Sequence, residues 1–271
     1  MQGADPESVT ASEWLEPGPL ALAAGAVAAS ASVAVLLLAR WRRGEPLVAW
    51  RPHDAVPWTG ADVATVLLAY LLVASLGQEL VGEPASLVRR LAVNSVALAA
   101  AVAFGVTVLR ARGATWDTLG FRGRWPDDLR LAAAALGLLV APLLGLAGLL
   151  DQLVPYRHPL VDLLADRRDP VALAVVIGSA VVAAPVAEEF FFRRVLQGWL
   201  ERRLPDGGWT AVVLSAAAFA LAHQGQGLAY VPLFPFGIVL GLIARQTGSI
   251  VACILVHALF NAISVGILLV T

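Results

Sequence analysis

The sequence has a single cysteine, Cys253, and no lysine: all 19 of its basic residues are arginine. One thiol excludes an internal disulfide and any multi-cysteine metal site, and reads as a small apolar residue in a packed helix. The arginine usage accompanies abundant alanine and reflects genome composition rather than function. Charge is scarce too, at 14% of residues against 59% hydrophobic over 271 positions, which excludes an ordinary soluble domain. A net charge of −1, without basic tracts or basic–aromatic interleaving, offers nothing to nucleic acid. Asp5, Glu7, Glu13 and Glu16 with no basic residue beside them are not the positive start of a signal peptide. The final Leu-Leu-Val-Thr is no prenylation motif. No repeat of fixed period and no Ser-His-Asp constellation stands out.

What the chain has instead is apolar length. A mean hydropathy of +0.77 and repeated apolar runs of about 20 residues predict an all-α, polytopic integral membrane protein. Eight spans are expected, near residues 19–39, 61–78, 91–109, 131–150, 171–200, 209–225, 229–245 and 249–270. The seventh is the weakest, because Pro232 and Pro235 interrupt its start. Gly237 and Gly241 follow as a small-xxx-small pair, suited to close helix packing.

Arginine placement gives an orientation. If residues 40–60, 110–130, 193–208 and 245–248 face the cytoplasm, they hold 14 of the 19 arginines. Arg89, Arg90, Arg157, Arg167 and Arg168 lie on the other side. That bias predicts both termini outside. The loop from Ala111 to Arg130, with Trp116, Leu119-Gly120-Phe121-Arg122 and Trp125-Pro126, reads first as a set of membrane-surface anchors.

Three polar clusters break the apolar spans. In the first, Glu188 and Glu189 precede Arg193 in Glu-Glu-Phe-Phe-Phe-Arg. Carboxylates and a guanidinium among Val, Ala and Phe are costly in a membrane and mark a functional site by default. Glu189 and Arg193 stand four apart and can pair on one helix face, whereas Glu188 projects about 100° away. One glutamate can thus be held charged while the other faces a cavity, as a general base and its support require. Spacing alone does not say which glutamate does the chemistry.

With Arg202 and Arg203 taken as the membrane boundary, Glu188 lies about 21 Å inside at 1.5 Å per residue. His223, returning on the next helix, reaches about the same depth, and His257 and Asn261 lie about 12 and 18 Å deep on the last. Pro185 is placed to bend the fifth helix just before the glutamates. His223 could share a water with either glutamate. Phe219, one turn earlier, would wall the pocket. His257 and Asn261, again four apart, supply neutral donors suited to an oxyanion.

In that order, Glu188-Glu189-x-x-x-Arg193, Phe219-x-x-x-His223 and His257-x-x-x-Asn261 resemble the three motifs of the CPBP family. This is the family of CAAX proteases and bacteriocin-processing proteins, including type II CAAX prenyl endopeptidases. The resemblance covers about 171–271 strongly. It extends weakly to Leu119-Gly120-Phe121-Arg122 and to Gly237-x-x-x-Gly241 with Thr247-Gly248-Ser249. It implies an eight-helix intramembrane glutamic endopeptidase without a cofactor. Glu188 would activate water with help from His223, His257 and Asn261 would hold the oxyanion, and Glu189 and Arg193 would support the site. Residues 1–170 would then be N-terminal transmembrane helices with an interfacial loop, and 171–271 the catalytic core of one integrated membrane domain.

Three other readings compete. His223, His257 and a glutamate could make a zinc site, although no H-E-x-x-H occurs and Asn261 is a poor zinc ligand. A transporter would show paired broken helices, which are not evident here. A non-enzymatic immunity or scaffold protein could keep the cluster as a relic. The expected partners are the lipid bilayer and a peptide or membrane-protein substrate, in a setting that looks like a bacterial plasma membrane. The sequence is silent on substrate identity and oligomeric state.

Overall fold

The computed structural model describes residues 17–82, 86–156, 160, 163, 169–206 and 208–270. The readings that rest on Asp5 to Glu16, Arg157, Arg167, Arg168 and Thr271 lie outside the described residues. Among the described residues no strand occurs, and eight helices can be bounded. They are α1 (Pro17–Arg42), α2 (Gly60–Val81), α3 (Leu87–Ala111), α4 (Trp125–Leu153), α5 (Pro170–Arg203), α6 (Trp209–Leu221), α7 (Tyr230–Thr247) and α8 (Val251–Val270). Seven are long and apolar enough to cross a membrane. Side chains such as Leu68, Leu72 and Val96 point outward and stay exposed, which a bilayer accommodates and water does not. The protein is an integral membrane protein.

The exception among the spans is α6. Its 13 residues rise only about 20 Å. The proline-interrupted seventh span, expected to be the weakest, forms an 18-residue helix. Pro232 falls in the first turn of α7, where no intrahelical N–H is required of it.

Local chemistry sets the helix ends. Thr59 and Asp62 form a reciprocal capping box at the start of α2. The buried Asp62 also takes Arg112 Nε at 2.7 Å, tying that start to the end of α3. Asp169 caps α5 through the N–H groups of Val171 and Ala172, and Pro170 occupies the first helical position.

α5 is central and irregular. Its segments Gly178–Ala183 and Glu189–Leu196 are π-helical, each with N–H groups reaching back five residues. Phe190, Phe191 and Val195 of α5 pack into one apolar cluster with Val66, Leu98, Ala101 and Leu109 of α2 and α3. A second cluster joins Ala132 and Leu139 of α4, Phe219 of α6, Phe236 and Leu240 of α7 and Val256 of α8, with Phe192 of α5 against it. α6 and α7 lie close, as the glycine pair requires. A Cβ on Gly237 would come within 3.1 Å of Ala216 Cβ, and one on Gly241 within 3.0 Å of Val212. Cys253 is buried, as expected of a small packing residue.

The loop expected over Ala111–Arg130 ends where α4 begins at Trp125, and it is only partly a surface anchor. Trp116 and Trp125 are exposed, but Leu119 is fully buried and Phe121 stacks on Phe190 at 5.9 Å. Gly120 C=O accepts from Ile250 N–H at 3.0 Å and from Ser249 Oγ at 3.3 Å. The loop thus clamps the turn between α7 and α8, where Gly248 supplies a φ of +65° that other residues rarely adopt.

Candidate active site

Three helices bring the polar clusters to one place. Glu189 and Arg193, both fully buried on α5, pair at 3.1 Å. Arg193 Nη1 donates to Ser215 Oγ on α6 at 3.0 Å, and its guanidinium lies 4.9 Å from the ring centroid of Phe219. The second oxygen of Glu189 takes His257 Nδ1 of α8 at 2.8 Å. Glu189 is therefore fully engaged, between a cation and an imidazole.

Glu188 points elsewhere, as the 100° offset requires. Its Oε2 is buried and has no hydrogen-bond partner. It faces His223 Nε2 at 3.9 Å and His257 Nε2 at 3.8 Å. Both separations exceed a direct hydrogen bond and suit a small bridging molecule. His223 lies just beyond the end of α6, and its Nδ1 sits 2.9 Å from Phe219 C=O. A carbonyl can only accept, so Nδ1 carries a proton and Nε2 is the nitrogen turned to Glu188. By the same logic the Glu189 carboxylate takes the Nδ1 proton of His257, leaving Nε2 toward Glu188. Phe219 stands between the imidazoles, 4.9 Å from His223 and 5.7 Å from His257 by ring centroids.

Asn261 is placed differently from its expected partners. Its Nδ2 donates to Ala180 C=O at 2.8 Å. The reason lies in α5. Ala184 N–H reaches back to Ser179, and the next residue, Pro185, has no N–H to offer Ala180. Asn261 supplies the missing donor. The proline expected to bend α5 thus sits beside a π-helical segment, with a side chain from α8 completing its hydrogen bonding.

Sequence reasoning missed the π-helices and Ser215. The serine was within reach, since it lies four residues before Phe219 on the same face of α6. Its Oγ takes Arg193 and donates to Phe192 C=O at 2.7 Å, a carbonyl of the second π-helical segment. Irregular turns of this kind often mark functional sites.

Residues 170–263 match the family model described as Type II CAAX prenyl endopeptidase Rce1-like. The chain carries an Rce1-like domain. It runs from the first turn of α5 into α8 and contains all seven residues of the three polar clusters. The family is one of proteases, which supports a peptidase acting on peptide. Neither the curated proteins nor the solved structures contain a match.

A zinc ion can be tested against the donors. Glu189 is already engaged on both oxygens, leaving Glu188 and the two Nε2 atoms. Two ligand atoms 2.0–2.1 Å from a tetrahedral zinc lie about 3.3 Å apart, whereas Glu188 stands 3.8 and 3.9 Å from the imidazole nitrogens. Among the described residues, no three His, Cys, Asp or Glu are grouped as a metal site requires. As they stand, these donors are spaced more widely than a tetrahedral zinc would hold them.

Proposed function

We propose that this chain is an intramembrane glutamate-dependent endopeptidase in which Glu188 and His223 activate the attacking water. The observation that carries the reading is the unpartnered, buried Glu188 Oε2 facing two imidazole nitrogens across 3.8–3.9 Å. A water held there is within reach of a carboxylate and of both rings. Its oxygen attacks the scissile carbonyl carbon while one proton passes to Glu188. The tetrahedral intermediate collapses as that proton moves to the amide nitrogen, the C–N bond breaks, and acid and amine fragments leave.

Charge counting assigns His257 its part. Glu188, Glu189 and Arg193 together carry −1, and a buried cluster is least costly when neutral. One further proton on His257 balances the count and makes its Nε2 a donor. Glu189 on the far side of the ring stabilises that imidazolium. His257 then donates to the oxyanion. Asn261 contributes its remaining N–H and holds α5 in register through Ala180. Arg193 and Ser215 fix Glu189, and Phe219 keeps the pocket apolar, where electrostatic contacts are strongest. The reaction needs no metal, both termini lie outside, and the membrane is a bacterial plasma membrane. The substrate is a membrane-associated peptide or protein tail.

Glu188→Gln tests the reading, because an amide cannot take the water proton. The variant is expected to fold like wild type, by its detergent melting midpoint, and to lose about 10²–10⁴-fold in peptide cleavage. Cleavage at the wild-type rate would sink the assignment. Activity abolished by a chelator and restored by zinc would overturn the metal-free mechanism.

A further inference from the structure

A second polar site lies toward the C-terminal end of α5, from Arg194, about 9 Å beyond Glu188 by its six-residue rise, to Arg202, about 21 Å beyond it. A cavity of about 280 Å³ there is lined by His53, Arg194, Glu201, Arg202 and Arg245, with Trp50 at its edge. Arg194 is the anomaly. It is 5% exposed, donates Nε to Thr118 C=O and lies 5.8 Å from the Trp58 ring centroid, yet its Nη2 has no partner. A buried guanidinium with an unsatisfied N–H costs several kcal/mol unless something compensates it.

The surroundings say what would. Three arginines and two carboxylates, Glu201 and Asp54, line the cavity, giving +1 before His53 is counted. Glu201 already accepts from Gln197 Nε2 at 2.8 Å, and Arg202 donates to the carbonyls of Val56 and Trp58. The surplus charge matches one singly charged anion. The cavity sits where α5 ends in Arg202 and Arg203 and where Trp50 and Trp209 are exposed, with Arg245 over the Trp209 ring at 5.5 Å. Trp and Arg so arranged belong to the headgroup layer. Arginine is also the side chain whose planar fork suits phosphate oxygens.

We propose that this cavity binds the phosphodiester of a phospholipid headgroup, with Arg194 and Arg245 as its principal donors. The ligand lies away from the cleavage site and links the α7 end, the α5 end and the segment before α2.

The test uses the full-length protein in nonionic detergent, titrated with short-chain phosphatidylglycerol, with the matching diacylglycerol and with inorganic phosphate, and read by melting midpoint. Phosphatidylglycerol is expected to raise the midpoint saturably and diacylglycerol to leave it unchanged. Arg194→Gln and Arg245→Gln should each weaken half-saturation about tenfold or more, and Glu201→Gln should tighten it. Should Arg194→Gln fail to fold, Arg245→Gln decides. Equal stabilisation of wild type and Arg245→Gln overturns the site. Stabilisation by inorganic phosphate alone, with the same arginine dependence, overturns the lipid as its source.

Discussion

Replacing Arg193 with methionine keeps most of the aliphatic stem and removes the charge that holds Glu189. Both partners are fully buried and 3.1 Å apart, so the variant leaves the buried carboxylate without its guanidinium and with His257 Nδ1 as its remaining hydrogen-bond partner. Breaking a buried pair from one side costs about 3–5 kcal/mol. The lost contact with the Phe219 ring puts the figure toward the upper end. At about 2–4 °C per kcal/mol for a chain of this size class, the melting midpoint in detergent should fall by roughly 10 °C or more. The decisive comparison is the double variant Glu189→Gln/Arg193→Met. Removing the stranded charge should recover at least about half of the loss, even though two native groups are then gone. A single variant within about 1 kcal/mol of wild type, or a double variant no better than the single, would refute the account of Glu189 as a charge held by Arg193.

Three further outcomes are expected. Asn261→Ala leaves Ala180 C=O without its donor and should cost about 1–3 kcal/mol in unfolding, besides slowing cleavage about 10²-fold if its other N–H serves the oxyanion; unchanged stability would remove the link to α5. Gly237→Leu, driven against Ala216 at a 3.1 Å approach, should destabilise by at least about 1–3 kcal/mol, whereas Gly145→Leu, with nothing within 4 Å, should be close to neutral in the same melting assay. Hydrogen bonds from Thr210 and Gly208 hold the Asp206 carboxyl below its ordinary value. Its stabilising share is therefore complete above the unfolded value of about 3.9 and lost as pH falls through the lower folded one; melting curves from neutral to acid pH should show that loss in wild type and not in Asp206→Ala.

The glutamates, Arg193, Phe219 and the two histidines were legible because they are polar groups whose spacing places them on helix faces at matching depth. The asymmetry between Glu188 and Glu189 followed from an angle of 100° per residue, and the ion pair from a separation of four. Gly237 and Gly241 likewise announced the α6–α7 contact. The π-helical turns were not legible, since they arise from where N–H groups find carbonyls in the packed structure, not from any residue pattern. For the same reason Asn261 read as an oxyanion donor, when its strongest contact is a carbonyl that Pro185 leaves unserved. Of the α7 prolines, Pro232 breaks nothing because it lies in the first turn, and the helix carries Pro235 inside it, while α6 stops at Leu221, four residues before the first glycine that follows it.

That early stop bears on how the reaction is supplied. Hydrolysis consumes one water per bond cut, and hydrocarbon delivers almost none. α6 ends about 10 Å short of a bilayer's hydrocarbon thickness, so residues 222–229 turn over at the depth of Glu188 instead of beyond the membrane. Gln224 and Gly225 are exposed there, and open turns at that depth persist only against protein or water. Water is expected to enter at this shortened end of α6, on the side where α5 begins. Reagents that modify a cysteine placed at Gln224 should reach it from that side alone, at rates set by water rather than by lipid.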